Sequence, residues 1–331
     1  MTAQSAIRNP QSAMVVALAG GVGGAKLAQG LYLALPPDTL TVIGNTADDF
    51  EHFGLRISPD LDTVLYTLAG MANPTFGWGI AGDSTRTLDL LKRYGAADWF
   101  LIGDLDFATH IYRSQLLREG HSLTDVTATL ARGLGLHAAI LPMCDEPVMS
   151  MVETPVGELP FQEYFVRRRH ADAVSAIRFA GIEQAQLPTG VATALESAAT
   201  IIFCPSNPFV SLGPILAVAD FRARLAAATG VKVAVSPIIG GRALTGPADQ
   251  MLAGLGHDVS VLGVARLYQD ILHGLVIDHE DAALAAIEAL GLRVLVTPQS
   301  IMGGADDRQR LAEEVLAFAE SLRAGANACA P

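Results

Sequence analysis

The 331-residue chain has little cysteine and no cysteine pattern: Cys144, Cys204 and Cys329 lie far apart, with no CxxC pair. Neither a disulfide framework nor a zinc site is suggested, and the thiols read as buried or incidental. Long apolar runs are missing as well. Half of the residues are hydrophobic and the mean hydropathy is +0.36, yet no uninterrupted stretch approaches the ~20 residues needed to cross a bilayer. Residues 1–13 are polar with a single arginine, and the apolar run that follows, Met14–Ala19, is too short for a signal-peptide core. A cytoplasmic protein with a loose N-terminal tail and no membrane partner is expected. Positive charge is the third scarcity: Lys and Arg total 22 against 34 acidic residues, a formal net charge of −12. That balance argues against general nucleic-acid binding and leaves room for a local basic site that takes one small anionic ligand. Aromatics are only 6%, while Ala, Leu, Val and Gly dominate, as in helices laid on a parallel sheet.

Met14–Ala19 breaks into the loop Gly20, Gly21, Val22, Gly23, Gly24, Ala25, Lys26, and AKLAQGLYLAL then follows with helical spacing up to Pro36 and Pro37. Strand, glycine loop and helix form the opening unit of a doubly wound sheet. Backbone N–H groups of such a loop can approach a phosphate closely, with the helix N-terminus adding partial positive charge. Neither the dinucleotide GxGxxG pattern nor the P-loop is met, because Lys26 occupies the third-glycine slot of the first and Ala25 and Leu27 depart from the second. A tight turn that binds nothing is the competing reading. Lys26 near the helix start, where the dipole does not favour a cation, points to an anion partner.

Leu40–Gly44 is the next strand, and it delivers NTADDFEHFGLRISPDLDTVLY, Asn45–Tyr66. Asp48, Asp49, Asp60 and Asp62 fall within fifteen positions, and such a cluster repels itself unless something cationic sits in it. Mg²⁺ with a bound phosphate, or arginine and lysine from elsewhere in the fold, are the candidates. The same residues are also good turn and N-cap formers. Ligands of open α/β sheets bind outside the carboxyl ends of strands. Both the glycine loop and Asn45–Asp49 hold that position, which suits a metal–diphosphate site.

Further on, FGWGIAGDS places Trp78 between glycines, where it either stacks on a planar ring or plugs a loop. WFLIGDLDFATHIYR, Trp99–Arg113, puts Asp106, His110 and Arg113 on one face if it is helical throughout. Leu123–Leu134 is an amphipathic helix and Ala138–Leu141 a strand. VMSMVETPVGELPFQEYFV reads as a hairpin turning near Pro155–Gly157, followed by the basic run Arg167–His170. Thr200–Phe203, Lys232–Val235, Val259–Leu262, Leu275–Asp278 and Arg293–Val296 read as strands, with a last helix over Asp306–Leu322 and a frayed AGANACAP end. Asn207, Ser211, Gly240 and Gly241 stand in Ser/Pro/Gly loops at strand ends, available to a base or ribose. The expected fold is α/β, a Rossmann-like, doubly wound, mostly parallel sheet. Residues 14–144 and 189–325 would form its nucleotide-binding core, and 145–188 a smaller strand-rich subdomain.

AGGVGGAKLAQGL, NTADDFEHFGLRISPDLDTVLYTLAG, GDLDFATHIYRSQLLREGHSLTDVT, ILPMCDEPV, FQEYFV, PSNPFVSLGPIL, AVSPIIGGRALTGPA and GVARLYQDIL occur in this order from Met14 to Leu322. Together they resemble the 2-phospho-L-lactate transferase family, whose actinobacterial members are called phosphoenolpyruvate transferase. The resemblance implies a role in the biosynthesis of the deazaflavin coenzyme F420. The phospho-acid of a guanosine-diphosphate-activated donor, phospholactyl or phosphoenolpyruvyl, passes to the terminal ribityl hydroxyl of Fo and GMP is released. It also implies Mg²⁺, a Rossmann-like core and a homodimer. By position, Asp62 is expected near Fo and the reacting phosphate. The glycine loop (Gly20, Gly21, Gly23, Gly24, Lys26), Ser206, Asn207, and the loop from Ser236 to Gly241, Gly240 included, are expected around the guanosine diphosphate. Trp78, His110 and Arg113 are the further acceptor candidates, Asp48, Asp49 and Asp60 the metal candidates, and Asp60 joins Asp62 as a catalytic candidate. Many relatives carry an arginine where this chain has Leu105 and a polar or basic residue where it has Leu101; Arg113, Arg86 or Arg118 could substitute, and the sequence does not choose among them. Two other readings compete: a UDP-sugar-binding regulatory protein of the related gluconeogenesis-factor type, which PDLDTVLYTLAG and FQEYFV disfavour, and a nicotinamide oxidoreductase, which Lys26 disfavours.

Overall fold

The computed structural model describes residues 13–281, 283–298 and 302–328; residues 1–12 of the expected N-terminal tail and Cys329 lie outside them. Seven strands form one sheet: Val15–Ala19 (β1), Leu40–Gly44 (β2), Ala139–Pro142 (β3), Thr200–Phe203 (β4), Val231–Val235 (β5), Gly274–Asp278 (β6) and Arg293–Thr297 (β7). Their spatial order is β3-β2-β1-β4-β5-β6-β7, and every pairing is parallel. Strands such as VVALA are buried at every position because helices cover both faces, and this is why they read as continuous apolar runs. Successive side chains of β1 feed opposite cores. Val16 and Leu18 pack with Phe203, Ile215 and Val264, while Val15, Ala17 and Ala19 pack with Leu27, Leu65 and Leu311.

The direction of strand succession reverses between β1 and β4. At such a switch point the loops leaving two adjacent strands part to opposite faces and open a crevice. From β1 the chain enters the helix Gly21–Ala34 (α1), and from β4 it enters the loop 204–211.

Three features of the fold differ from the sequence reading. Between Asp49 and Asp60 the chain makes a small antiparallel hairpin, Phe50–His52 against Leu55–Ile57. Phe53 and Gly54 form its two-residue turn, with φ of 54° and 70°, the left-handed pair that tight hairpins require. The expected strand at Val259–Leu262 is instead the start of a helix, Val261–Tyr268, because the Ser260 hydroxyl accepts the Gly263 N–H at 3.1 Å and caps it. The hairpin of residues 149–160 is present, but Phe161–Val166 is not strand: the chain enters a helical turn whose Glu163–Arg167 portion is π-helical. Within residues 145–188 the strand Met149–Thr154 also pairs with Ala176–Ala180, making a three-stranded antiparallel sheet. It packs on its own cluster, in which Phe161 and Tyr164 meet Val210 and Met251 of the core.

Pro59–Leu68 (α2), Arg86–Arg93 (α3) and Asp104–Arg118 (α4) flank the carboxyl end of the sheet. The closing helix, Ala305–Ala328, extends past Leu322 into the alanine-rich end expected to fray. It lies on α1, where a Cβ on Gly30 would stand 2.0 Å from the Arg308 carbonyl oxygen. Among the described residues no helix is long and apolar enough to cross a membrane.

Candidate active site

A cavity of about 690 Å³ opens at the switch point, within the size range of small-molecule sites. One wall is the glycine loop against the loop after β4. The Gly20 N–H donates to the Ser206 hydroxyl at 3.1 Å. A Cβ on Gly23 would stand 2.3 Å from the Pro205 carbonyl oxygen, and one on Gly24 would stand 2.3 Å from Ser206 Oγ. Packing between the two loops therefore explains these glycines. Gly21 differs: it has φ of +65°, open space where a Cβ would point, and a place in the cavity wall. Asn207 and Ser236 line the same wall but are already engaged. Asn207 Oδ1 accepts the Phe209 N–H at 2.9 Å, and the Ser236 hydroxyl exchanges bonds with both backbone groups of Ile238. These side chains shape their loops and leave backbone groups to face a ligand. Lys26 is the only lysine or arginine among the described residues that line the cavity, and burial lowers its pKa, with Arg308 adding to the effect.

The acidic stretch forms the floor. The hairpin folds the chain back, so that Asn45 Nδ2 donates to Asp48 Oδ2 at 3.1 Å and to Asp60 Oδ2 at 2.8 Å. One neutral amide thus holds two buried carboxylates together. Asp48 Oδ1 is buried without a well-formed hydrogen bond, although the Ser150 hydroxyl helps to hold its charge. Burial, reinforced by Asp60, pushes the Asp48 pKa well above the carboxylate range, and burial pushes Asp60 to about 6. Asp60 also abuts the glycine loop: a Cβ on Gly20 would be 2.6 Å from Asp60 Oδ2. Asp48 and Asp60 both line the cavity. Two hard oxygen donors with no cation of the protein beside them fit Mg²⁺, which is bound through one or two carboxylates together with substrate phosphates and would favour their ionised forms.

Asp49, the third metal candidate, turns away from the cavity. It accepts a 2.6 Å bond from the Ser58 hydroxyl and pairs with Arg56 Nε at 3.4 Å. Burial raises its pKa to about 7 against the pull of Arg56.

Asp62 faces the cavity from the first turn of α2, two residues after Asp60, and its surroundings are opposite in kind. Arg113, wholly buried on α4, meets both carboxylate oxygens, with Nη1 3.0 Å from Oδ2 and Nη2 on Oδ1. His110 Nδ1 lies 3.6 Å from Oδ2, and burial pulls the His110 pKa down to about 4, so the ring is neutral at physiological pH. The helix starts at Asp104 rather than at Trp99. Asp106 accepts the Gly103 N–H at 3.1 Å, while Asp83 accepts those of Leu105 and Asp106. Asp106, His110 and Arg113 therefore share the buried face, as the spacing predicted. Arg113, expected at the acceptor, instead stands behind Asp62 and does not line the cavity. Trp78 is at the mouth, stacked on Phe76 at 5.5 Å and 39% exposed, so it is no buried plug.

Gly24 and Gly240, expected at the nucleotide, are also off the cavity; Gly24 packs inside α1, and the Gly240 N–H donates to Asp281 at 3.1 Å. The basic run is spent at the surface, where Arg167 pairs with Glu163 and Arg168 with Asp172. Tyr66, Thr63, Trp99, Phe100, Phe161, Gln162 and Phe165 line the cavity and were not singled out from the sequence. Their only signal was membership of the motifs TVLY, WF and FQEYFV.

The family model for the 2-phospho-L-lactate transferase CofD matches residues 15–296. The chain belongs to that family. It is 42% identical over 319 residues to a phosphoenolpyruvate transferase of Kitasatospora aureofaciens, covering 94% of this chain and 99% of the relative. It is 39% identical over 303 residues to a 2-phospho-L-lactate transferase of Methanosarcina mazei, covering 91% and 99%. Among solved structures, a member of the UPF0052 family from Bacillus halodurans superposes with a TM-score of 0.64 at 14% identity, covering 92% of this chain and 99% of that one, a likeness of fold.

For a member of the 2-phospho-L-lactate transferase family, the leucines at 101 and 105 now have places. Leu101 lines the cavity, whereas Leu105 is half exposed outside it. No arginine takes over there: Arg86 is exposed outside the cavity, and Arg118 donates to the Gly54 carbonyl at 2.6 Å.

Proposed function

We propose that the protein transfers the phospho-organic-acid moiety, phospholactyl or phosphoenolpyruvyl, of a guanosine-diphosphate-activated donor to the ribityl hydroxyl of Fo in coenzyme F420 biosynthesis. The reading is carried by one observation: a single cavity has the glycine loop on one side and the Arg113-held Asp62 on the other, with Asp60 touching the first and preceding the second on the same helical turn. The donor diphosphate runs along Gly21–Lys26, where the α1 N-terminus and the ammonium favour its charge. Asp48 and Asp60 hold Mg²⁺, which offsets charge on the diphosphate. Asp62 accepts the hydrogen bond of the Fo hydroxyl and aims its oxygen at the distal phosphorus. The new P–O bond forms as the bridging oxygen departs with GMP, and the hydroxyl proton passes to Asp62. Because Arg113 neutralises Asp62, the carboxylate acts chiefly by orientation, which suits a phosphoryl transfer governed by positioning and electrostatics.

The test is to offer the protein Fo, Mg²⁺ and guanosine diphosphate carrying lactyl, enolpyruvyl or 3-phosphoglyceryl in turn, and to weigh the product. A mass equal to Fo plus one phospho-acid, with GMP released in equal amount, is expected for at least one donor. No adduct with any of them contradicts the proposal.

A further inference from the structure

Phe161, Gln162, Phe165 and Val166 come from the turn that the sequence had suggested was strand, and all four line the cavity. The widened turn stacks the rings of Phe161 and Phe165, 5.4 Å apart and 6° from parallel. Between these rings in sequence, Gln162 is 9% exposed, and its amide makes no hydrogen bond with any described residue. Its oxygen and nitrogen are not among the fully buried polar atoms left without a partner, so they meet the open space of the cavity, where a ligand would take the place of water. The neighbouring loops show the contrast, since Asn207 accepts the Phe209 N–H and donates to Met251 Sδ, and the Ser236 hydroxyl bonds the backbone of Ile238. Gln162 lies in the cavity wall with both a donor and an acceptor free.

We infer that Gln162, flanked by the Phe161–Phe165 stack, is a binding residue that reads the lactam edge of a planar heterocycle, its NH₂ donating to the ring carbonyl and its oxygen accepting the adjacent ring N–H. A side-chain amide matches a cis-lactam in two hydrogen bonds, and aromatic rings beside it supply apolar contact to a flat ligand. The inference rests on the functional reading above, in which both substrates carry such an edge: guanine through its O6 and N1–H, and the deazaflavin through its pyrimidine ring. The chemistry is shared, and the experiment assigns the source.

Binding of GDP and of Fo to the full chain with Mg²⁺ is measured by calorimetry for the wild type, Gln162→Met and Gln162→Ala, alongside the N1-methyl form of GDP and the N3-methyl form of Fo. Gln162→Met keeps the volume and removes both hydrogen-bonding groups. Because the amide has no partner within the chain, the thermal midpoint should be unchanged or higher. For one of the two ligands, affinity should fall about five- to tenfold, and that fall should vanish for its methylated analogue. Equal losses for methylated and unmethylated forms, or no loss for either ligand, overturn the inference. Wild-type protein that binds neither GDP nor Fo sinks the functional reading itself, and the inference with it.

Discussion

Asp60 and Asp62 are two residues apart on the first turn of α2, both are buried and both face the same cavity, yet they are treated in opposite ways. Asp62 has its countercharge inside the protein, in the bidentate contact with Arg113. Asp60 has only neutral donors, the amide of Asn45, which it shares with Asp48, and the backbone N–H of Gly21. The sequence offered metal or arginine as alternatives for the whole acidic cluster, and the fold divides them within it. Arginines serve Asp62 and Asp49, while Asp48 and Asp60 are left for a cation from outside. A carboxylate with an internal partner keeps a fixed place in every state of the site. One without a partner gains its stability only when a ligand arrives.

The largest effect expected of breaking this arrangement is at Arg113. Arg113→Met leaves Asp62 buried and uncompensated, and denaturant unfolding should show a loss of roughly 3–5 kcal/mol. Adding Asp62→Asn to that variant should recover much of it. A loss that the double variant does not recover would mean that Arg113 acts by packing alone.

A smaller effect of opposite sign is expected at Asp60. With Mg²⁺ chelated, Asp60→Asn should be more stable than the wild type at pH 8 by about 3 kcal/mol. The sign follows from linkage. The folded pKa of Asp60, about 6, lies above the ordinary 3.8, so the native state binds more protons than the unfolded chain between those values. Wild-type stability from this group rises as pH falls from about 6 toward 4, and the gap between the two proteins should close over that window. A gap that is constant with pH would contradict it.

The smallest effect concerns Asp49. Because it is satisfied by Ser58 and Arg56 off the cavity, Asp49→Asn should change the Mg²⁺ concentration needed for half-maximal transfer by about twofold at most, within the few tenths of a kcal/mol usual away from a site. A tenfold rise would return Asp49 to the metal group.

Much of the fold was legible because a parallel sheet covered on both faces writes itself as short, wholly apolar runs; all seven of its strands read correctly to within one residue at each end. The errors were local. Val259–Leu262 resembles those runs, and only the Ser260 cap, which acts through geometry, makes it helix. The Phe53–Gly54 turn lacks the Asn or Asp that announces a tight hairpin, so the device that carries Asp60 back to Asp48 could not be seen. At the site, residue types and spacing placed Asp106, His110 and Arg113 on one helical face. They could not show that Arg113 points at Asp62 rather than at a ligand, since that depends on how α4 packs against α2. Gly24 and Gly240 show the same limit, because a glycine required by packing and a glycine required by a phosphate are written with the same letter.

The division between Asp60 and Asp62 is tested most directly by titrating Mg²⁺ into the GDP-saturated wild type, Asp60→Asn and Asp62→Asn and following the heat of binding. Asp60→Asn should lose affinity for the ion by tenfold or more, while Asp62→Asn should bind it as the wild type does and still fail to transfer. Equal loss of Mg²⁺ in both variants, or full transfer by Asp62→Asn, would contradict the account.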